Sequence, residues 1–224
     1  MGGTIKKYTK NGVHVKILIM ATGILARRSL NFTNSTEYKI SKYSEKKINL
    51  QIKQLQKQAY AAAKVVGVDD IEFFNFPDNE MDLVSNLEIT KKIENVILKF
   101  KPSIVYTHSN ADINIDHRSI YNATITATRP GKNSVEKVIS FEVPSSTEWN
   151  FPSTFSPNIF IDISSELSFK LKSMSKYKDE LNEFPHPRSL KGLEIIAKRW
   201  GTVSGYNAAE AFCLVRELKG TIEK

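Results

Sequence analysis

Apolar runs of strand length alternate with longer segments of helical period across the first 143 residues, and this alternation narrows the fold more than any other feature. "VHVKILIM" (Val13–Met20) is short, β-branched and opened by Gly12, as a buried strand is. From about Ile48 to Val66, the residues Ile52, Leu55, Ala59, Ala62, Ala63 and Val66 fall on one helical face, and Gly67 stops the helix. "IEFFNF" (Ile71–Phe76) is a strand ended by Pro77. "NLEITKKIENVILKF" then sets Leu87, Ile93, Val96, Ile97 and Phe100 at helical spacing. "SIVYT" (Ser103–Thr107) is a strand, His117 to about Thr128 a helix, and "KVISFEV" (Lys137–Val143) another strand. This order predicts a parallel sheet with helices on both faces. Beyond it the sequence predicts a strand at Asn158–Ile163, helices at about Ser165–Leu181 and Leu190–Trp200, and a final strand at Ala211–Leu218. The polar stretch from Ile24 to Lys47 reads as a long loop.

Composition removes several classes. Cys213 is the sole cysteine, so neither an internal disulfide nor a cysteine-based zinc cluster can form. No apolar run approaches the roughly 20 residues that span a bilayer, and no basic-then-apolar secretory start is present. No membrane span is expected, and a reduced, cytoplasmic setting is the default. The net charge is +8, but the lysines are spread along the helices, as in "KKIENVILKFK" and "FKLKSMSKYK". That pattern suits a solvated surface, and no nucleic-acid partner is expected.

In parallel sheets, chemistry gathers at the carboxyl ends of the strands. Such an end carries "THSNADINIDHR" (Thr107–Arg118), which packs His108, Asn110, Asp112, Asn114, Asp116 and His117 into one short segment. Imidazole and carboxylate suit a hydrolytic zinc. His117, at a helix start just after a strand, is a candidate ligand. Asp116 is placed to orient an imidazole, and Asp112 to tie down the loop or contact a sugar hydroxyl. The same residue types also cap helices and make turns. Asp116 is well placed as the N-cap of the next helix, and Asn110 and Asn114 as turn residues.

"YTHSNADINIDHR" resembles the second motif of the LmbE-like (PIG-L) zinc-dependent N-deacetylases, which remove an acetyl group from N-acetylglucosamine-type amino sugars. "GGTIKKYTKNGVHVKILIMATG", "AAAKVVGVDDIEFFNFPDNEMD", "FEVPSSTEW", "FSPNIFIDIS" and "AAEAFCLVREL" resemble further segments in the same order, so the likeness runs over nearly the whole chain. It implies a single domain over residues 1–224 with a Rossmann-like, doubly wound, mostly parallel α/β sheet. It also implies zinc as cofactor and a small-molecule amino-sugar conjugate as substrate, and it is compatible with a homo-oligomer. His117 matches a metal ligand and Asp116 the acidic catalytic-side residue that supports it. Arg27, Asp112, Asn114 and Arg118 fall on the substrate side. His108 is expected in a loop and not as a ligand.

The sequence departs from the family pattern in three places. Leu55 and Gln58 stand where the family's helix carries an Arg-x-x-Glu pair. Ala208, with Tyr206 nearby, stands where a tyrosine often precedes the Ala-Glu of the last strand. The family also opens with an apolar strand ending in an Ala-His-Pro-Asp-Asp-Glu-like motif, which supplies two zinc ligands and the catalytic base. This sequence opens at "MGGTI". The expectation is a sheet without its first central strand, leaving Val13–Met20 and Ser103–Thr107 with unpaired edges or forced together. A single imidazole holds zinc weakly, so negligible deacetylase activity is expected of these residues by themselves. The expected explanation is a misplaced start that leaves an active deacetylase N-terminally truncated; the alternatives are a non-catalytic protein that binds a sugar or nucleotide, and one half of a split enzyme.

Overall fold

The computed structural model describes residues 1–21, 42–131, 133–152 and 154–219. Helix α1 (Gly2–Lys10) leads into strand β1 (Lys16–Ala21). Helix α2 (Lys42–Val66) follows, then β2 (Asp70–Phe76), a 3-10 turn at Met81–Leu83, α3 (Asn86–Phe100), β3 (Ile104–His108), α4 (Ile115–Ala127) and β4 (Lys137–Phe141). The rest is β5 (Ile159–Asp162), α5 (Leu167–Met174), α6 (Leu190–Ser204) and β6 (Ala209–Glu217). Strand pairing is parallel where helices intervene: β1 with β2, and β3 with β4. It turns antiparallel at the far edge, where β6 lies between β4 and β5. The α/β class is therefore as the alternation predicts, and among the described residues the sheet is mixed, with two parallel and two antiparallel pairings.

The strands form two ladders, β1-β2 and β3-β4-β6-β5. Among the described residues, β1 and β3 each pair on one side only, the first of the two outcomes expected. The ladders are nonetheless one body, because a single core packs against both. Met20 of β1, Phe76 of β2 and Val138 of β4 meet Ile89, Ile93 and Ile97 of α3 and Ala123 and Ala127 of α4. On the opposite face, Ile17 and Ile71 pack with Ala63 and Val66 of α2 and Ile5 of α1. Successive residues thus face opposite layers, the period of two that strands impose.

Helix α1 also fastens the second ladder. Glu210 of β6 accepts hydrogen bonds from the amides of Gly3 (3.2 Å) and Thr4 (2.7 Å). The Tyr8 and Tyr106 hydroxyls meet at 2.8 Å.

Several boundaries differ from the sequence reading. Helix α2 starts at Lys42, so the last part of the expected loop is helical, while the part up to residue 41 lies outside the described residues. Leu87 is 63% exposed, because it sits in the first turn of α3, ahead of the buried stripe that starts at Ile89. Helix α5 stops at Met174, far short of Leu181, while α6 runs past Trp200 to Ser204. Gly201 does not break α6. It lets the helix approach the chain after it, since a Cβ there would meet the Tyr206 carbonyl oxygen at 2.5 Å and the Ala208 nitrogen at 2.9 Å. Gly205, at φ +79, ends the helix instead.

Candidate active site

A cavity of about 590 Å³ opens at the carboxyl ends of β1, β3 and β4. One wall is β1, with Leu18, Ile19, Met20 and Ala21 all lining it. Side chains alternate faces along a strand, so four consecutive lining residues mean that the cavity runs along the open edge of β1. His108 stands at the tip of β3, and Asn114, Asp116 and His117 at the start of α4. Asp78 and Asn79 enter from the loop after β2, and Val143 to Ser146 from the loop after β4. Ile52, Leu55 and Ala59 of α2 add apolar lining, and Tyr177, Glu180 and Arg188 join from the C-terminal third.

Local chemistry sets these positions. The N-cap of α4 is Asn114, not Asp116: its side chain accepts the Asp116 amide at 2.8 Å. His117 is thereby fixed in the first helical turn. Asp116 instead reaches across to the loop after β2, accepting the amides of Asn79 (2.6 Å) and Met81 (3.0 Å). Burial pushes its carboxyl above the usual carboxylate range, against the pull of those two amides. The Asn79 backbone there is left-handed, at φ 56, as is that of Ser145 across the cavity, at φ 70. Glu148 holds the latter turn by accepting the amides of Ser145 (2.7 Å) and Ser146 (3.2 Å).

Asp112 is fully buried and absent from the cavity wall. It accepts the hydroxyls of Ser146 and Thr147 (2.8 Å to the latter) and the Asn114 amide (2.9 Å). Its Oδ1 also lies 3.1 Å from His117 Nδ1. Burial alone would raise the Asp112 carboxyl, but His117 and Ser146 outweigh it and hold it down to about 2. Of the two roles expected of Asp112, tying down the loop is the one its contacts show: it clasps the loops after β3 and β4 beside the His117 ring, and as a fully buried group it is not placed to contact a sugar hydroxyl. Arg118 likewise donates to the carbonyls of Asp112 (2.6 Å) and Ile113 (2.7 Å), which makes it a brace for the loop rather than part of the cavity wall. Arg27 lies outside the described residues.

His108 differs most from expectation. It is the last residue of β3, and its ring stacks on that of His117 with centroids 4.2 Å apart and planes 11° apart. Burial, and then the neighbouring imidazole, push its pKa down to about 3. Its Nδ1 is buried without a hydrogen-bond partner.

The donor set does not fit a complete catalytic zinc site, which takes three protein ligands and an open position. Among the described residues, no three His, Cys, Asp or Glu side chains converge. Stacked imidazoles hold their in-plane lone pairs in separate, nearly parallel planes, so His108 and His117 do not aim at one point. The carboxylates of Asp112 and Asp116 are already taken by N–H and O–H donors. His117 remains as one imidazole at the cavity.

The sequence did not single out Asp78, Tyr177, Glu180 or Arg188. Only Asp78, in the quoted "FPDNEMD", lay in a segment with a signal of its own.

A Rossmann-like sheet with imidazoles and carboxylates at the tips of its parallel strands defines an α/β domain with its candidate site at the carboxyl edge. The chain belongs to the PIG-L (GlcNAc-PI de-N-acetylase) family, whose model matches residues 1–128. It is 27% identical to a diacetylchitobiose deacetylase of Thermococcus kodakarensis over 222 residues, covering 96% of this chain and 77% of that protein. The fold matches that of N,N'-diacetylchitobiose deacetylase from Pyrococcus horikoshii, solved with its inhibitor MPG (TM-score 0.72, 19% identity, 96% of this chain and 78% of that one). It also matches a 4-carboxy-2-hydroxymuconate hydratase from Pseudomonas putida (TM-score 0.66, 18% identity, 100% and 91%). The fold by itself thus hosts more than one reaction. No helix among the described residues is long and apolar enough to cross a membrane.

Proposed function

We propose that this chain is the body of an N-deacetylase that hydrolyses the acetamide of an N-acetylglucosamine-type amino sugar, releasing acetate and the free amine. The observation that carries the reading is His117, steered by Asp112, at a cavity on the carboxyl edge of the sheet in a member of the PIG-L family. The cavity volume, about 590 Å³, lies in the range of roughly 300–1,000 Å³ typical of small-ligand sites. Asp116 and Asp112 act by holding the three loops that frame it. Zinc is the expected metal, and His117 supplies one of its legs. The other legs belong to a segment that pairs into the open edges of β1 and β3. Residues 1–224 by themselves bind zinc weakly and turn over negligibly.

The test is acetate release from N-acetylglucosamine and diacetylchitobiose with added zinc. Residues 1–224 give none, while a version preceded by a strand ending in a His-Pro-Asp-Asp-like motif gives turnover that His117→Ala abolishes. No turnover in the extended version refutes the deacetylase. Metal-dependent turnover by residues 1–224, lost in His117→Ala, refutes the incomplete site.

A second reading, a sugar-binding protein without catalysis, draws support from the two carboxylates already engaged in holding loops. Saturable sugar binding that a chelator leaves unchanged, without turnover in the extended version, favours it.

A further inference from the structure

In the wall of the same cavity, Arg188 Nη1 donates to Glu180 Oε2 at 2.8 Å. The two residues bracket a closed loop. Within it the Arg188 amide donates to His186 Nδ1 (3.0 Å), and the Asn182 side chain donates to the Glu180 carbonyl (3.0 Å). The His186 ring meets Trp149 edge-on at 5.6 Å, which ties this loop to the one after β4. The turn that carries Glu180 is pinned from below, because Gln54 and Gln58 of α2 both donate to Asp179. The pair is therefore held in place rather than trailing in solvent.

Arg188 is the only Lys or Arg side chain in the cavity wall among the described residues. Its Nε is buried without a partner. A guanidinium has five N–H donors, and a carboxylate accepts at both oxygens. Anion capture is the obvious use of an arginine, but the charges argue against it here. Glu180 neutralises the guanidinium at contact distance, so a phosphate gains no net charge from the pair. A neutral polyol needs none, and an adjacent donor and acceptor match two neighbouring hydroxyls. Ile52, Leu55 and Ala59, which line the same cavity, offer the apolar surface that the C–H face of a pyranose needs.

We infer that Arg188 and Glu180 form a hydroxyl-binding fork that selects and positions the sugar ring, with the guanidinium donating and the carboxylate accepting. The inference deepens the amino-sugar reading and rests on it for the substrate class, but it does not need turnover. It is tested on the purified chain without metal, by titrating N-acetylglucosamine, diacetylchitobiose and their monodeoxy analogues. Arg188→Gln and Glu180→Gln each weaken sugar binding about tenfold or more, the loss expected for a hydrogen bond to a charged group. A deoxy analogue that has lost the matching hydroxyl binds the variant and the parent alike, which a general loosening of the loop would not produce. Inorganic phosphate does not compete. Thermal unfolding and the Arg188→Lys variant report whether the loop still folds. Unchanged sugar affinity in both folded variants overturns the fork, as do sugar binding displaced by phosphate and no sugar binding at all. If the fork holds and the extended version releases no acetate, the deacetylase reading fails by itself. If acetate is released and Arg188→Gln leaves KM unchanged, the fork fails by itself.

Discussion

Oδ1 of Asp112, shielded from all solvent, stands 3.1 Å from Nδ1 of His117. The carboxylate is the hub of two loops, holding Ser146 and Thr147 from one and the Asn114 amide from the other. Removing it strands buried donors, each at a cost of about 1–3 kcal/mol. Asp112→Ala is therefore expected to cost about 3–5 kcal/mol in chemical denaturation, near the upper end for single substitutions. Asp112→Asn, which keeps one acceptor oxygen, costs less. A loss below about 1 kcal/mol for the alanine variant would show that the loops hold without the clasp.

The antiparallel edge depends on Glu210. Burial would raise its pKa, but it is held well below its ordinary value of 4.5, with Lys170 and the Thr4 amide pulling it down. A carboxylate with a depressed folded value stabilises the fold above its unfolded pKa and loses that stabilisation as pH falls through about 4.5 toward the folded value. Unfolding free energy should therefore drop below about pH 4.5, with a contribution from this group of at most about 1.4 kcal/mol per pH unit. Glu210→Gln is less stable at pH 7 and shows a flatter acid limb. An identical acid limb in both proteins would assign the acid sensitivity elsewhere.

Gly201 tests how closely α6 approaches the chain that follows it. The atoms that an added Cβ would meet are backbone atoms of Tyr206 and Ala208, which have no rotamer to yield. Helix propensity favours alanine by about 1 kcal/mol, and overpacking costs about 1–3 kcal/mol, so the clash prevails. Gly201→Ala is expected to lower Tm, whereas Gly12→Ala, with open space around its Cβ, tests only the cost of φ +75. A Tm for Gly201→Ala at or above the parent's would mean that the turn relaxes freely.

Where the sequence was legible, the reason is local. Ile71, Phe74 and Phe76 declare a strand because alternate side chains meet different layers. The start of α2 escaped notice because Lys42 to Lys47 carry no apolar stripe. At the site, His117 was found because ligand-type residues crowd one segment. Asp112 was legible only as two alternatives, because composition does not say whether a carboxylate faces a cavity or a hydroxyl pair in an adjoining loop. Glu180 and Arg188 left no local signal, since only the packing of α2 under their turn brings them to the cavity.

The unpaired edges make a prediction that needs no ligand. β6 is bonded on both sides, to β4 and β5, whereas β1 and β3 each have one partner among the described residues. An amide whose bond requires only local opening exchanges faster than one released only by global unfolding. The outward-facing amides of Ile17 to Met20 and of Val105 to Thr107 should therefore exchange well before those of Ala211 to Leu214 in β6, in a hydrogen-exchange time course at constant pH. Adding the strand proposed for the extended version should slow both sets together, because a strand seated between β1 and β3 closes both edges at once. Protection of only one set would place the added strand on a single ladder. Equal protection of β1, β3 and β6 in residues 1–224 would mean that the edges are already closed.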